Sequence, residues 1–305
     1  MDRSRKQPNR ISYWAMAAGF VLWTAGPSAG AKVLVIYGNS NGTVNEGSYS
    51  LGDAWVKQRL ETALHHQVRF MWDQTSKEEM LAAADTSDLV MVLESTTSAY
   101  LTDKLKTTPK PIMNCEAMIQ DDMGLTATGT SCDPGPPSKC PYGVVDSAAD
   151  IVIKDSSHPL AAGLHGQVHV YSAMKEINWG KVAATAHVIA TLASDPSGAA
   201  IYTYEKGSKL FDGTTAAGLR IGFFVEDDNK TGTATLFTPE GIQLFDAAVN
   251  YGLGTTTTAL GRTSGNRIEA GKSGDGIGGI DAMGRRALPI ERLVEFPGNT
   301  RINSR

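Results

Sequence analysis

The sequence predicts an α/β fold with a mainly parallel sheet and a strand-rich second half, and three observations carry that prediction. Continuous apolar runs such as KVLVIY at 32–37 and LVMVL at 89–93 recur through the first half. Strands buried on both faces of a parallel sheet read this way, whereas half-exposed strands alternate. Helical segments separate these early runs, so the connections are right-handed βαβ crossovers. After residue 150 the strand-like runs follow one another closely, which suggests an antiparallel extension at one sheet edge.

Each element has a local reason. After the first strand comes a polar loop, 38–50, rich in Gly, Asn and Ser. Val56, Leu60, Ala63 and Leu64 then fall on one helical face, with Lys57, Arg59 and Glu61 on the other. VRFM at 68–71 reads as a second strand. Ser76 with Glu79 three residues later is a helix-start signature. The run 89–93 is the third strand and PIMNC at 111–115 the fourth, with a short helix around 99–105 between them. Later strands are expected at 151–153, 168–171, 187–192, 199–204 and 219–225. The last helix is the best marked. Thr238 can cap it, Pro239 takes its first position, Phe245, Ala248 and Val249 form its apolar stripe, and Gly254 ends it.

The two ends differ in character from the middle. Arg3, Arg5, Lys6 and Arg10 precede an apolar stretch, 11–23, and the small-x-small pattern Ala29-Gly30-Ala31 follows. Residues 1–31 therefore read as a cleavable secretion signal, cut before Lys32. The apolar stretch is too short for the roughly 20 residues of a spanning helix, and no later segment predicts a membrane span. Residues 32–254 suit a single α/β domain. Residues 255–305 open on four threonines and continue Gly-rich, which reads as a linker and disordered tail. The formal net charge is −4, and the first 31 residues contribute +3 of it. The remainder is mildly acidic and offers no basic stripe for phosphate backbones, so nucleic acid is not an expected partner.

Cys132 and Cys140 bracket a Pro/Gly-rich loop, and an oxidising compartment would let them pair as a disulfide. A metal site is the alternative, but no His or third Cys stands nearby at ligand spacing. No metal site is expected. Cys115 is left as a single thiol.

Several segments in order resemble the ThuA-like branch of the class I glutamine amidotransferase-like superfamily. They are KVLVIYG, a helix ending at His65-His66, DLVMVLES, KPIMNCEAM, SSHPLAAGL, RIGFFVEDD and a closing FDAAVNYGLG helix. The resemblance covers roughly 32–254 and implies a flavodoxin-like three-layer sandwich with a link to sugar utilisation. It also frames the departures. At the amidotransferase nucleophile position this chain carries Glu116, and Cys115 stands one residue early. A one-residue slip on a strand turns a side chain to the opposite face. The late His-x-Glu partner is replaced by Val225-Glu226-Asp227-Asp228, without a histidine. A thiol with no base to activate it is not a working triad, so amidotransfer is not expected.

Ligands of open α/β sheets bind at the carboxyl ends of the parallel strands. The residues expected there are Gly38, Asn39 and Ser40, then Glu94 and Ser95, then Glu116, with His158 added from the His-Pro turn. Glu94 and Glu116 are the candidates for acid/base work. The alternative for both is capping of the helices that follow them. For His158 an orienting hydrogen bond is expected rather than catalysis. Gly38-Asn39-Ser40-Asn41-Gly42 is too irregular for a phosphate-binding fingerprint, so no cofactor is expected. The sequence thus predicts an exported module that binds a small polar or carbohydrate ligand at the strand carboxyl ends. The alternative is a hydrolase acting on a sugar or related polar substrate through paired carboxylates.

Overall fold

A computed structural model describes residues 30–39, 45–226 and 232–255. Ser40, nearly all of the expected secretion signal and nearly all of the expected tail lie outside the described residues, as do Asp227 and Asp228.

The first half is built as expected. Strand β1 (Lys32–Tyr37) pairs in parallel with β2 (Gln67–Trp72) on one side and β3 (Leu89–Val92) on the other. The next strand, β4 (Ile112–Asn114), continues the parallel ladder from β3. Alternate residues of β1 enter two different cores. Val33, Val35 and Tyr37 pack with α1 (Leu51–Gln58) and with α4 (Pro239–Gly252). Leu34 and Ile36 pack with α2 (Lys77–Asp85) and α3 (Ser98–Leu101). Helices thus cover both faces of this half, which is why β1 reads as an unbroken apolar run. Each of these fully buried side chains contributes about 1.5–3 kcal/mol.

The helix starts follow their sequence signals. Ser76 Oγ accepts from the Glu79 N–H, and Thr238 Oγ1 accepts from the Gly241 N–H. Helix α1 begins with a reciprocal Ser50–Asp53 capping box and ends in one π-helical turn, Arg59–Ala63.

The sheet is mixed rather than mainly parallel. Its second half comprises β5 (Tyr142–Ala148), β6 (Asp150–Ile153), β7 (Gly166–His169), β8 (Lys175–Gly180), β9 (His187–Leu192), β10 (Ala199–Tyr204) and β11 (Arg220–Gly222). The main path runs β2-β1-β3-β4-β11-β10-β9-β6-β7, with β8 bonded to β5 and to β10. Strand β11 is parallel to β4 but antiparallel to β10, and every pairing beyond it is antiparallel. The reason lies in the connections. Strands joined without an intervening helix can return alongside each other only in the antiparallel sense.

Two buried polar arrangements fix this junction. The Arg220 side chain, 1% exposed, donates to the carbonyls of Lys106, Thr108, Lys110 and Leu219. Burial lowers its pKa to about 10, which leaves it charged at neutral pH. It pins the start of β11 to the segment that leads into β4. At the other end Gln120 donates to Asn178 Oδ1 and to the Trp179 carbonyl, and accepts from the Tyr202 hydroxyl. Asn178 in turn donates to the Cys115 carbonyl. Glycines make the room: a Cβ at Gly180 would meet Gln120 Oε1 at 2.3 Å, and one at Gly222 would meet the Tyr202 ring at 2.2 Å.

Cys132 and Cys140 are bridged, and Cys115 is a buried free thiol. Thiol titration of residues 32–254 should therefore detect one reactive group, and only after unfolding. Tyr202→Phe removes a hydroxyl and strands a buried acceptor. Urea unfolding should register a loss of about 1–3 kcal/mol; an unchanged midpoint would mean that the Gln120 network contributes nothing.

Candidate functional site at the strand carboxyl ends

Strand order reverses between β1 and β3, and the chain leaves β2, β3 and β4 through an acidic residue. Asp73 follows β2 directly, Glu94 lies two residues beyond β3, and Glu116 two beyond β4. Because Val92 and Asn114 are partners in the β3–β4 register, Glu94 and Glu116 emerge from adjacent strands at equivalent positions. Glu226 follows β11, whose Gly222 is the next partner of Asn114. Parallel register alone therefore gathers acidic side chains at one sheet edge.

Helix α1 adds to them. Asp53 is completely buried, and its carboxylate accepts from Ser95 Oγ at 2.9 Å. Ser95 Oγ lies 3.3 Å from the Gly38 N–H, which donates to it. Gly38, Ser95 and Asp53 thus form one hydrogen-bonded chain across the switch point. A Cβ on Gly38 would lie 2.2 Å from Asp73 Oδ2, so this approach requires glycine. Asp73 Oδ2 accepts from the Thr97 N–H, and Oδ1 has no hydrogen-bond partner among the described residues. Burial raises the Asp73 pKa, against the opposing effects of Thr97 and the Lys104 ammonium. Lys104 donates to the carbonyls of Asp73 and Thr75 and is itself shifted down by burial.

Glu116 is 4% exposed, and its Oε1 accepts from the Met118 N–H at the start of a short 3-10 turn. The capping alternative is therefore realised at this residue. Burial lifts its pKa to about 8, the Met118 bond opposes the shift, and the charges of Asp133 and Asp73 add to it. At neutral pH Glu116 is largely protonated, a hydroxyl donor rather than an anion. Asp133 belongs to the loop closed by the disulfide, so that loop bears on the strand ends electrostatically.

Cys115 faces the core, as the one-residue slip predicts. Burial pushes its thiol pKa far up, and the charges of Glu94, Glu226 and Glu116 push it further. That makes it a protonated, inert sulfur. That all three influence this sulfur electrostatically agrees with their following β3, β4 and β11 at the same end of the sheet.

His158 does not join this group. Its Nδ1 accepts from the Leu160 N–H, and its ring packs on His187 and Tyr251. Tyr251 lies beside Gly252, whose nearest neighbour is Leu89 at the start of β3, so the cluster sits at the amino end of that strand. A ligand role for His158 at the carboxyl ends is thereby corrected. It serves as the cap its His-Pro turn requires. His187 pairs with Asp155 at 2.8 Å, but the nearby Ser157 donates to Asp155 rather than to a histidine, so no nucleophilic triad forms.

Sequence reasoning missed Asp53 and Asp73. Asp73 could have been found by the rule that singled out Glu94, since it follows a strand directly. Asp53 is signalled only by its place three residues after Ser50. Among the described residues no group of three or more His, Cys, Asp and Glu side chains is placed to hold a metal ion.

No family model matches the chain, and no curated protein matches it in sequence. Among solved structures it is similar to a crystal structure of a thua-like protein from Bacteroides uniformis. That likeness has a TM-score of 0.44 at 8% identity and covers 77% of this chain and 97% of the other.

Glu116 makes stability depend on pH in a definite sense. Its folded pKa is raised from 4.5 to about 8, so its contribution is fully present below about 4.5 and is lost as pH rises through about 8. Glu116→Gln keeps the Met118 bond without the ionisation. Relative to wild type the variant should gain stability progressively between those two pH values, as read by urea unfolding. A difference that does not change with pH would mean an ordinary carboxylate.

Proposed function

We propose that this chain is an exported, non-catalytic module with a ThuA-like, flavodoxin-like core that binds a small polyhydroxylated ligand, a carbohydrate or polyol, at the strand carboxyl ends. The single observation that carries this reading is the emergence of Glu94 and Glu116 at equivalent positions from the adjacent parallel strands β3 and β4, where such a sheet presents its loops. Hydroxyl groups are both donors and acceptors. A protonated Glu116 donates, other carboxylates accept, and Ser95 does either.

The reading includes no amidotransferase chemistry, and two side chains support that. Cys115 is buried and protonated, and residue 116 is a carboxylic acid. Export is supported by the Cys132–Cys140 bridge, because disulfides persist in oxidising compartments. No helix among the described residues is long and apolar enough to cross a membrane.

One observation favours the hydrolase as a second reading. A carboxyl group with its pKa near 8 beside carboxylates of different environment is the arrangement that separates a general acid from its partner.

The two readings part on one substitution. A panel of small sugars and polyols should be screened against the protein for binding by calorimetry and for turnover. For the module, Glu116→Gln keeps a neutral donor and should preserve affinity within about threefold, while Glu94→Gln removes an acceptor and weakens binding about tenfold or more. For the hydrolase, Glu116→Gln abolishes turnover while leaving binding in place. If no compound on the panel binds, or if Glu94→Gln leaves the affinity of every bound compound unchanged, the strand-end carboxylates are structural.

A further inference from the structure

The expected cleavage point falls inside the fold and not ahead of it. Gly30 and Ala31 are the last two residues of the expected secretion signal, and both lie half-buried against the domain. The peptide group joining Ala31 to Lys32 has both of its polar atoms engaged. Its carbonyl, on Ala31, accepts from the Gln67 N–H at 2.9 Å, and its N–H, on Lys32, donates to Asp88 Oδ2 at 2.8 Å. The Lys32 carbonyl in turn accepts from the Asp88 N–H at 2.8 Å. Gln67 opens β2 and Asp88 directly precedes β3, so the junction is held from both sides by the strands that flank β1.

Gly30 closes this corner. A Cβ there would stand 1.7 Å from the His65 carbonyl oxygen and 2.9 Å from His66 Cα. Backbone occupies the place where a side chain would begin, so the approach requires glycine.

A peptidase needs the opposite arrangement. It takes its substrate as an extended segment laid along its own cleft, with the scissile carbonyl turned into an oxyanion hole. In the folded domain that carbonyl is taken by β2, and the scissile N–H faces Asp88. Cutting requires the corner to open first, and the rate then follows the fraction of molecules that are open. Cleavage also changes what Asp88 meets. The Lys32 nitrogen becomes an ammonium group beside a carboxylate that its peptide N–H already touched.

We propose that the Ala31–Lys32 bond is a processing site accessible in the unfolded chain and sealed by folding, and that the α-amino group released there is held by Asp88. The proposal rests on the export reading given above and adds an order of events to it. Cleavage comes first and closure of the β1 corner second. A chain exported already folded would keep its signal.

The test is an order-of-addition experiment with the full precursor, residues 1–305, and a purified signal peptidase in detergent. Precursor diluted from urea directly into the enzyme should be cut at Ala31–Lys32, as located by mass spectrometry. Precursor allowed to fold before the enzyme is added should be cut about tenfold more slowly or worse. Gly30→Ala changes only the signal side of the bond and yields the same mature chain. Its folded precursor should be cut about threefold faster than the folded wild type, or more, because its corner is propped open. The mature chain supplies a separate readout, acylation of its α-amine at pH 7. Asp88→Asn removes the charge that favours the unreactive ammonium form, so the variant should react about two- to threefold faster, a modest ratio because the pair is exposed. Equal cutting of folded and unfolded precursors overturns the proposal, as does a folded Gly30→Ala precursor cut no faster than wild type. An α-amine indifferent to Asp88→Asn overturns the part assigned to Asp88. An unfolded precursor left uncut at Ala31–Lys32 would instead overturn the export signal itself, a result distinct from a folded chain that is cut freely.

Discussion

Gln120, Asn178 and Tyr202 come from three distant parts of the chain and meet in a region closed to water. Their amide and hydroxyl groups are matched so closely that removing one strands another. Gln120 spends its donors on Asn178 and the Trp179 carbonyl and its acceptor on Tyr202, and Asn178 reaches the carbonyl of Cys115. Unpaired, each buried group would cost about 1–3 kcal/mol. Paired, they hold the turn after β4 against β8 and β10, and so join the parallel half of the sheet to the antiparallel half. The placement of Glu116 depends on this, because its neighbour Cys115 is held through the main chain on one side by Val92 and on the other by Asn178.

Much of the fold was legible because it is written locally. Strands β1, β9 and β10 have the bounds their apolar runs imply, and the caps at Ser76 and Thr238 fall where their signatures stand. Strands β5 and β8 were not legible. YGVVDSA and KEINWG mix polar residues and glycine with few apolar ones, and they become strands by pairing with each other across a separation no local pattern records. The direction of pairing was hidden for a similar reason. An apolar run says that a strand is buried without saying which way its neighbour runs, so the antiparallel extension expected at one edge proved to be half the sheet. Strand β11 is shorter than its apolar run, since the ladder stops at Gly222 while burial continues through Val225.

At the site, sequence position was enough wherever the parallel register did the work. Gly38, Glu94, Ser95 and Glu116 emerge at the carboxyl ends because each follows an element whose end could be read. His158 failed because a His-Pro turn says what a histidine can cap and nothing of which end of the sheet the turn occupies. The proton on Glu116 was also out of reach. Adjacent carboxylates can be read from sequence, but burial, the larger cause of its shift, belongs to the assembled structure.

The two glycines that make room for the polar network constrain how this chain can change. A substituent at Gly222 would enter the ring of Tyr202, and one at Gly180 would enter the amide of Gln120. Tyr202 and Gln120 are themselves joined by a hydrogen bond. Four positions spread over a hundred residues are thereby bound into a single unit of inheritance. A larger residue at 222 is admissible only where 202 has already become smaller, and that loss abandons the amide at 120. Related chains should keep these four residues together or replace them together, and such joint replacement would trace common descent in sequences too diverged to align by identity.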